Sequence, residues 1–316
     1  MQRILNHCTV AIFLPAILGW GGAALSISAS ELYGWSLFLF LPIAVSFLSA
    51  FCWNYKREKT FSSTYGMTCL SILALGGLVI VSAMDGLICL FMAFPLTMAL
   101  ALIGAPLGRM VGSSLGGMSG PTIASLLCLS FPFLLGFENS TKQEPVTRKV
   151  VSSVLIDAPI EDVWKTVIAF PKITDPPTGV FRFGIAYPIE ASIDGTGVGA
   201  IRYCRFSTGD FVEPITVWDE PNKLAFDVSE NPEPMKELSI YQDVHAPHLH
   251  GFMDSEKGQF KLTQVGKQVR LEGTTWYKHS ISPEFYWGVI SDQIIHKIHY
   301  RVLDHIKEHA EGVAKR

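Results

Sequence analysis

Three histidines stand within six residues, at His245, His248 and His250. Imidazoles at this spacing could meet one zinc or copper ion, with Asp243 or Asp254 as an oxygen ligand and water in an open position. The run is local, with no helix to fix its geometry and no distant partner, so a solvated loop is the competing use. A second group is Arg202, Arg205, Asp210, Glu213, Glu272 and Lys278, on or beside segments of strand character near Tyr203, Trp276 and Tyr277. Alternate residues of a strand share a face, so half of such a set can line a pocket and orient the polar end of a ligand while the rest meets water. Arg202 and Glu213 are each flanked by apolar residues. If burial raises its pKa, Glu213 is a candidate general acid or base, with His279 or Tyr241 completing a proton-transfer pair. A structural ion pair with Arg202 or Arg205 is the competing use of the same carboxylate. His296 and His299, three apart near the edge of an apolar helical stripe, read as surface residues.

Other chemistries lack their residues. The chain has no Gly-x-Ser-x-Gly elbow, no phosphate loop, no dinucleotide fingerprint and no cysteine with an adjacent base, so neither covalent catalysis nor a cofactor is expected. Of six cysteines, only Cys204 lies outside the apolar runs, which leaves nothing for a disulfide framework or a Cys-x-x-Cys site.

The elements that must position these residues divide the chain in two. Across 316 residues, 49% are hydrophobic and 17% charged, with a mean hydropathy of +0.31. Residues 1–137 contain eight of the charges: Arg3, Glu31, Lys56, Arg57, Glu58, Lys59, Asp85 and Arg109. An apolar helix of roughly 20 residues crosses a hydrocarbon core. Five spans are predicted, at about 8–27, 35–53, 67–84, 87–107 and 111–137, with the charges between them. The first resembles a signal peptide, but four further spans favour a retained helix. Lys56, Arg57, Lys59, Arg3 and Arg109 mark the cytoplasmic side, so five spans put residue 138 onward on the extracytoplasmic side of the cytoplasmic membrane. Gly104, Gly108, Gly112, Gly116 and Gly120 recur every four residues, which suits close helix packing, whereas Pro106 and Arg109 favour a glycine-rich loop. The acidic second part does not suggest nucleic acid as a partner.

Residues 138–148 read as a polar linker, and 312–316 as a tail. Between them, a β-rich run at Val150–Ile156 precedes a short amphipathic helix at Ile160–Val167 with Asp157 as its N-cap. Strands are predicted at 180–193, 199–206, 211–218, 223–228, 259–265 and 269–277, joined by turn signals too short for crossover helices. From Glu284, Trp287, Ile290, Ile294, Ile298, Val302 and Ile306 form one stripe of a long helix. A curved antiparallel sheet around that helix is the simplest way to bury it, and the space between is commonly concave and apolar.

The run Leu155-Ile156-Asp157-Ala158-Pro159-Ile160-Glu161-Asp162-Val163-Trp164 resembles the opening of START-like, or SRPBCC, helix-grip domains. Pro214 to Val228 and the ending from Tyr286-Trp287 through His296-Lys297-Ile298-His299 to Lys307 resemble later parts of the same superfamily. The resemblance spans residues 149–311 and implies a cavity for a lipid or other hydrophobic ligand. It does not carry reaction chemistry, because the superfamily keeps its fold while changing its sites.

The sequence thus predicts an N-terminal all-α transmembrane bundle and a C-terminal α+β helix-grip domain that binds or transfers a hydrophobic molecule. Ligand contacts are expected at Trp276, Arg202, Glu213, Tyr203, Tyr241 and Trp287. A polyketide cyclase or aromatase using Glu213 is the alternative, and a membrane-tethered ligand sensor a third reading.

Overall fold

The computed structural model describes residues 2–29, 33–114, 120–141, 145–241 and 247–314. Two compact units emerge: residues 1–143 together with 237–247, and residues 144–236 together with 248–316.

The first unit is helical. Its main helices are α1 (Gln2–Ala24), α2 (Leu41–Asn54), α3 (Phe61–Val81), α4 (Leu87–Ser114) and α5 (Gly120–Ser140). Four apolar segments, His7–Ile27, Ser36–Asn54, Phe61–Val81 and Leu87–Ser114, are long enough to cross a membrane. The fifth predicted span is redrawn. Its first residues extend α4, which continues through Pro95 and Pro106, residues 115–119 lie outside the described set, and α5 follows. A reason for α4 to continue lies in its packing. A Cβ at Gly104, Gly108 or Gly112 would strike the α2 backbone at Ile43, Phe47 and Phe51, so the missing side chains let two helix backbones touch. Gly116 lies outside the described residues.

Two charged residues tie helices of this unit to neighbouring segments. At one end Arg109 donates to Lys59 O (2.9 Å), pairs with Glu58 (3.0 Å) and lies over the Phe61 ring. At the end of α5, Glu138 accepts from the Trp35 and Ser36 amides at 2.6 and 3.0 Å, satisfying donors that a helix start leaves open.

The second unit is one seven-stranded antiparallel sheet, in the order β1-β7-β6-β5-β4-β3-β2, and a long helix. The strands are β1 (Val146–Ile156), β2 (Pro188–Asp194), β3 (Ile201–Phe206), β4 (Gly209–Asp219), β5 (Lys223–Asp227), β6 (Met253–Val265) and β7 (Gln268–His279). Helix α6 (Ile160–Ile168) follows β1, and α7 (Glu284–Ala314) closes the chain. The strand predicted over 180–193 is in part a 3-10 turn, Gly179–Phe183, because Gly179 and Gly184 adopt positive φ (56° and 105°) and bend the chain before β2. Pro159, not Asp157, occupies the N-cap of α6; the Asp157 amide instead donates to Glu311 at 2.9 Å.

Alternation along the strands sends Val150, Ser152 and Ile156 of β1, Arg202, Cys204 and Phe206 of β3, Glu213 and Ile215 of β4, and Leu271 and Tyr277 of β7 to the buried face. Val302, Leu303, Ile306 and Ala310 of α7 join Trp164 and Val167 of α6 in the same core. Arg148 on β1 fixes the start of α7. It bonds Asp292 at 2.5 and 3.2 Å and Glu284 at 2.6 Å, and Tyr277 donates its hydroxyl proton to Asp292 (2.8 Å).

Candidate functional site

A cavity of about 110 Å³ lies between the buried face of the sheet and α7. Its apolar wall includes Phe206, Phe211, Phe226, Phe260, Ile298 and Val302. Gly258 makes room for this wall: a Cβ there would overlap the Phe226 ring.

The polar groups of the wall begin with Arg202, which is 1% exposed. Its side chain pairs with Glu213 through Nη1, donates from Nε to Ile168 O at 3.1 Å, and sits 5.7, 5.6 and 5.6 Å from the ring centres of Phe170, Phe226 and Phe260. Nη2 is buried and has no hydrogen-bond partner. A buried charged donor without a partner is costly, so an acceptor oxygen arriving there gains more than it would at the surface. Register explains the pair, since Arg202 and Glu213 face one another across β3 and β4. Burial pushes the Glu213 carboxyl above its ordinary range, against the pull of the guanidinium.

A second polar group crosses from β1 and β7 to α7. Ser152 Oγ lies 2.7 Å from His296 Nδ1 and 3.1 Å from His299 Nδ1, and His299 Nε2 lies 2.8 Å from Thr275 Oγ1. His299 and Thr275 both line the cavity, as does Thr274, whose Oγ1 is buried without a partner. Burial, reinforced by nearby His296, lowers the His299 pKa to about 4, so its imidazole is neutral at ordinary pH. These histidines are not the surface pair expected from sequence. Only the register of Ser152 on β1 and Thr275 on β7 reveals their partners, and spacing along α7 gives no sign of it.

The other expected ligand contacts are dispersed. Trp276 alternates with Thr275 and Tyr277 onto the outer face, where Lys149 Nζ lies 5.4 Å from its ring centre. Tyr203 is likewise turned out between Arg202 and Cys204. Trp287 is buried in the first turns of α7, outside the cavity wall, with its ring edge-on to Tyr286. His279 is buried with neither ring nitrogen hydrogen-bonded and is not part of the wall; burial and Arg148 lower its pKa. Tyr241 belongs to the first unit and donates to Val81 O at 2.6 Å. Of the metal candidates, His245 lies outside the described residues, as does Asp243, and the side chain of His248 is not described. His250 is exposed and 3.4 Å from Glu233.

The first unit has its own cluster, not anticipated from sequence. Asp85, Cys89 and Glu237 bring their ligand atoms within 4.8 Å of one another at the start of α4. Asp85 accepts from the Gly86 amide (2.8 Å), Glu237 from the Ile88 amide (3.1 Å), and Leu238 O from the Leu87 amide (2.9 Å). These are the donors a helix N-terminus leaves open, so the cluster acts as a cap. Burial raises the Asp85 pKa to about 7.

No protein-family model matches the chain, and no curated protein matches it. Solved structures that are similar include a protein of Nitrosospira multiformis, 19% identical over 54% of this chain and 100% of its own, with a TM-score of 0.32. Truncated norcoclaurine synthase from Thalictrum flavum is 14% identical over 52% of this chain and 94% of its own, with a TM-score of 0.33. Ginseng major latex-like protein 151 from Panax ginseng is 14% identical over 52% of this chain and 97% of its own, with a TM-score of 0.32. The strand order and the long closing helix of this chain are those of a helix-grip fold.

Proposed function

We propose that this is a membrane-anchored helix-grip protein that binds a small hydrophobic molecule carrying one polar acceptor. The second unit would hold it between the sheet and α7; the linker expected at 138–148 is shorter, since α5 runs to Ser140 and β1 begins at Val146. The observation that carries the reading is Arg202 Nη2, a buried charged donor with no hydrogen-bond partner in the wall of a mostly apolar cavity. Phenyl rings would supply the burial, and the guanidinium, held by Glu213 and Ile168 O, would set the orientation.

The volume refines the ligand class. An engineered cavity of about 150 Å³ takes benzene, whereas drug-sized ligands occupy roughly 300–1,000 Å³. A cavity of about 110 Å³ is smaller than the benzene site and suits a short branched chain or a ring smaller than benzene. Four long apolar helices support membrane anchoring. The pairing of Arg109 with the Glu58–Lys59 loop supports a common cytoplasmic end for those basic residues, and Glu138 bonded to Trp35 and Ser36 supports an extracytoplasmic exit for the linker. Native mass spectrometry of the full chain in detergent, followed by organic extraction, tests the reading. A small apolar molecule recovered in stoichiometric amount from wild type and lost from Arg202→Met supports it; retention unchanged by Arg202→Met sinks it.

A further inference from the structure

We propose that the second unit catalyses proton exchange at a carbon next to a carbonyl, with the chain His296–Ser152–His299–Thr275 as the proton path between solvent and the cavity. The inference rests on the binding reading above and on the same cavity.

Four side chains from three separate elements, β1, β7 and α7, meet at 2.7, 3.1 and 2.8 Å. A structural serine needs one imidazole to be satisfied; Ser152, which is 4% exposed, joins two, each through Nδ1. The outer member, His296, is half-buried, and the inner members, His299 and Thr275, line the cavity. A continuous set of groups that both give and accept protons therefore runs from the partly exposed face of α7 to the ligand space. Arg202 adds the second requirement of enolate chemistry, a buried donor free to meet developing negative charge on oxygen.

Thr275 Oγ1 takes the proton from the carbon next to the carbonyl while passing its own hydroxyl proton to His299 Nε2. His299 releases its Nδ1 proton to Ser152, Ser152 gives its hydroxyl proton to His296 Nδ1, and His296 releases its Nε2 proton to water. The electron pair of the broken C–H bond moves to the carbonyl oxygen, and the enolate is held by Arg202 Nη2–H. Running the path backwards returns a solvent proton to the carbon, so no oxidant or co-reactant is consumed. The charged groups facing the path are Asp292 beside His296, itself bonded to Arg148, and Arg202, Glu213 and Lys257 in the cavity wall.

The probe is cyclobutanone, a ring ketone smaller than benzene that matches a cavity of about 110 Å³, mixed in D2O with the full chain in detergent. Saturation-transfer NMR reads its binding, and loss of its α-hydrogen signal reads exchange. Wild type should bind it and exchange it faster than detergent buffer. Thr275→Val and His299→Gln should each lose about a hundredfold of that acceleration. Ser152→Ala should lose about tenfold with the binding signal unchanged, because Ser152 is in the path and not in the cavity wall, and should melt a few degrees lower because two imidazoles lose a partner. The wild-type rate should stay level from pH 8 to about 5, since His299 remains neutral there; an ordinary histidine would fall off near its reference value of about 6.5. His296→Gln, at the partly exposed entrance, replaces any buried variant that melts low. Binding without exchange overturns the relay and leaves the binding reading intact, and so does exchange that survives in Ser152→Ala and His299→Gln. Absence of saturation transfer overturns both.

Discussion

Replacing Glu213 by Gln removes one charge of the buried Arg202–Glu213 pair and leaves the other inside. The guanidinium keeps its bond to Ile168 O at 3.1 Å and its three phenyl neighbours, but loses its anion. Breaking a buried pair from one side costs about 3–5 kcal/mol, because the surviving charge stays desolvated. For a domain of this size each kcal/mol moves the melting temperature by about 2–4 °C, so the second unit should melt roughly 6–20 °C lower. Glutamine keeps an acceptor oxygen, which puts the expected loss near the lower end of that range. Removing both partners, as Arg202→Met with Glu213→Leu, leaves no charge to desolvate and should return stability to within about 1 kcal/mol of wild type. The double variant folds but has no guanidinium in the cavity wall, so its retained ligand should fall about tenfold or more. Tryptophan-fluorescence melting of the full chain in detergent, with native mass spectrometry on the same samples, reads both effects. A Glu213→Gln variant that melts within about 2 °C of wild type would refute the reasoning. A double variant that melts as low as the single one would refute it equally.

Gly108→Val should lower the melting temperature of the helical unit sharply, because its side chain would enter the α2 backbone at Phe47, while Gly136→Val, with nothing within 4 Å, should change it little; scanning fluorimetry decides. His299 has a folded pKa of about 4 against 6.5 for the free group. The unfolded chain therefore takes up the proton first, and about 3 kcal/mol of stability, fully present above pH 6.5, is lost as pH falls toward 4. Urea unfolding across that range should show the slope in wild type and a shallower one in His299→Gln. Asp85 runs the other way: its pKa is raised from 3.8 to about 7, so the folded form holds the extra proton and the cap at residues 237–238 weakens as pH rises from 4 to 7. Hydrogen exchange at the Leu87 and Ile88 amides should speed up over that interval in wild type and not in Asp85→Asn. Trp276→Ala should leave ligand retention unchanged, since the ring is on the outer face beside Lys149; a loss of retention would return it to the site.

The parts of the fold legible in the sequence were those with a strong period. The α7 stripe and the alternating strands from residue 201 onward each bury one face, and burial is what periodicity records. The 3-10 turn at Gly179–Phe183 was not legible, because the run after it is rich in strand formers and the two glycines that bend it carry no pattern. Pro106 suggested an interruption, yet α4 continues because packing of Gly104, Gly108 and Gly112 on α2 holds it. At the cavity, Arg202 and Glu213 could be singled out by their apolar neighbours. Tyr203 and Trp276 could not be sorted, since a shift of one residue exchanges the two faces of a strand. The partners of His296 and His299 sit more than a hundred residues away on β1 or across the sheet on β7, and only strand register brings them together.

Gly258 gives the cavity a single point of adjustment. The Phe226 ring rests where a Cβ at residue 258 would otherwise be, and Phe226 in turn faces Arg202. One added methyl there would displace the ring, while the guanidinium keeps its tethers on Ile168 and Glu213. Cavity size and cavity polarity are thus set by different residues. A substitution at residue 258 would change the space beside Phe226 and leave the buried guanidinium on its tethers.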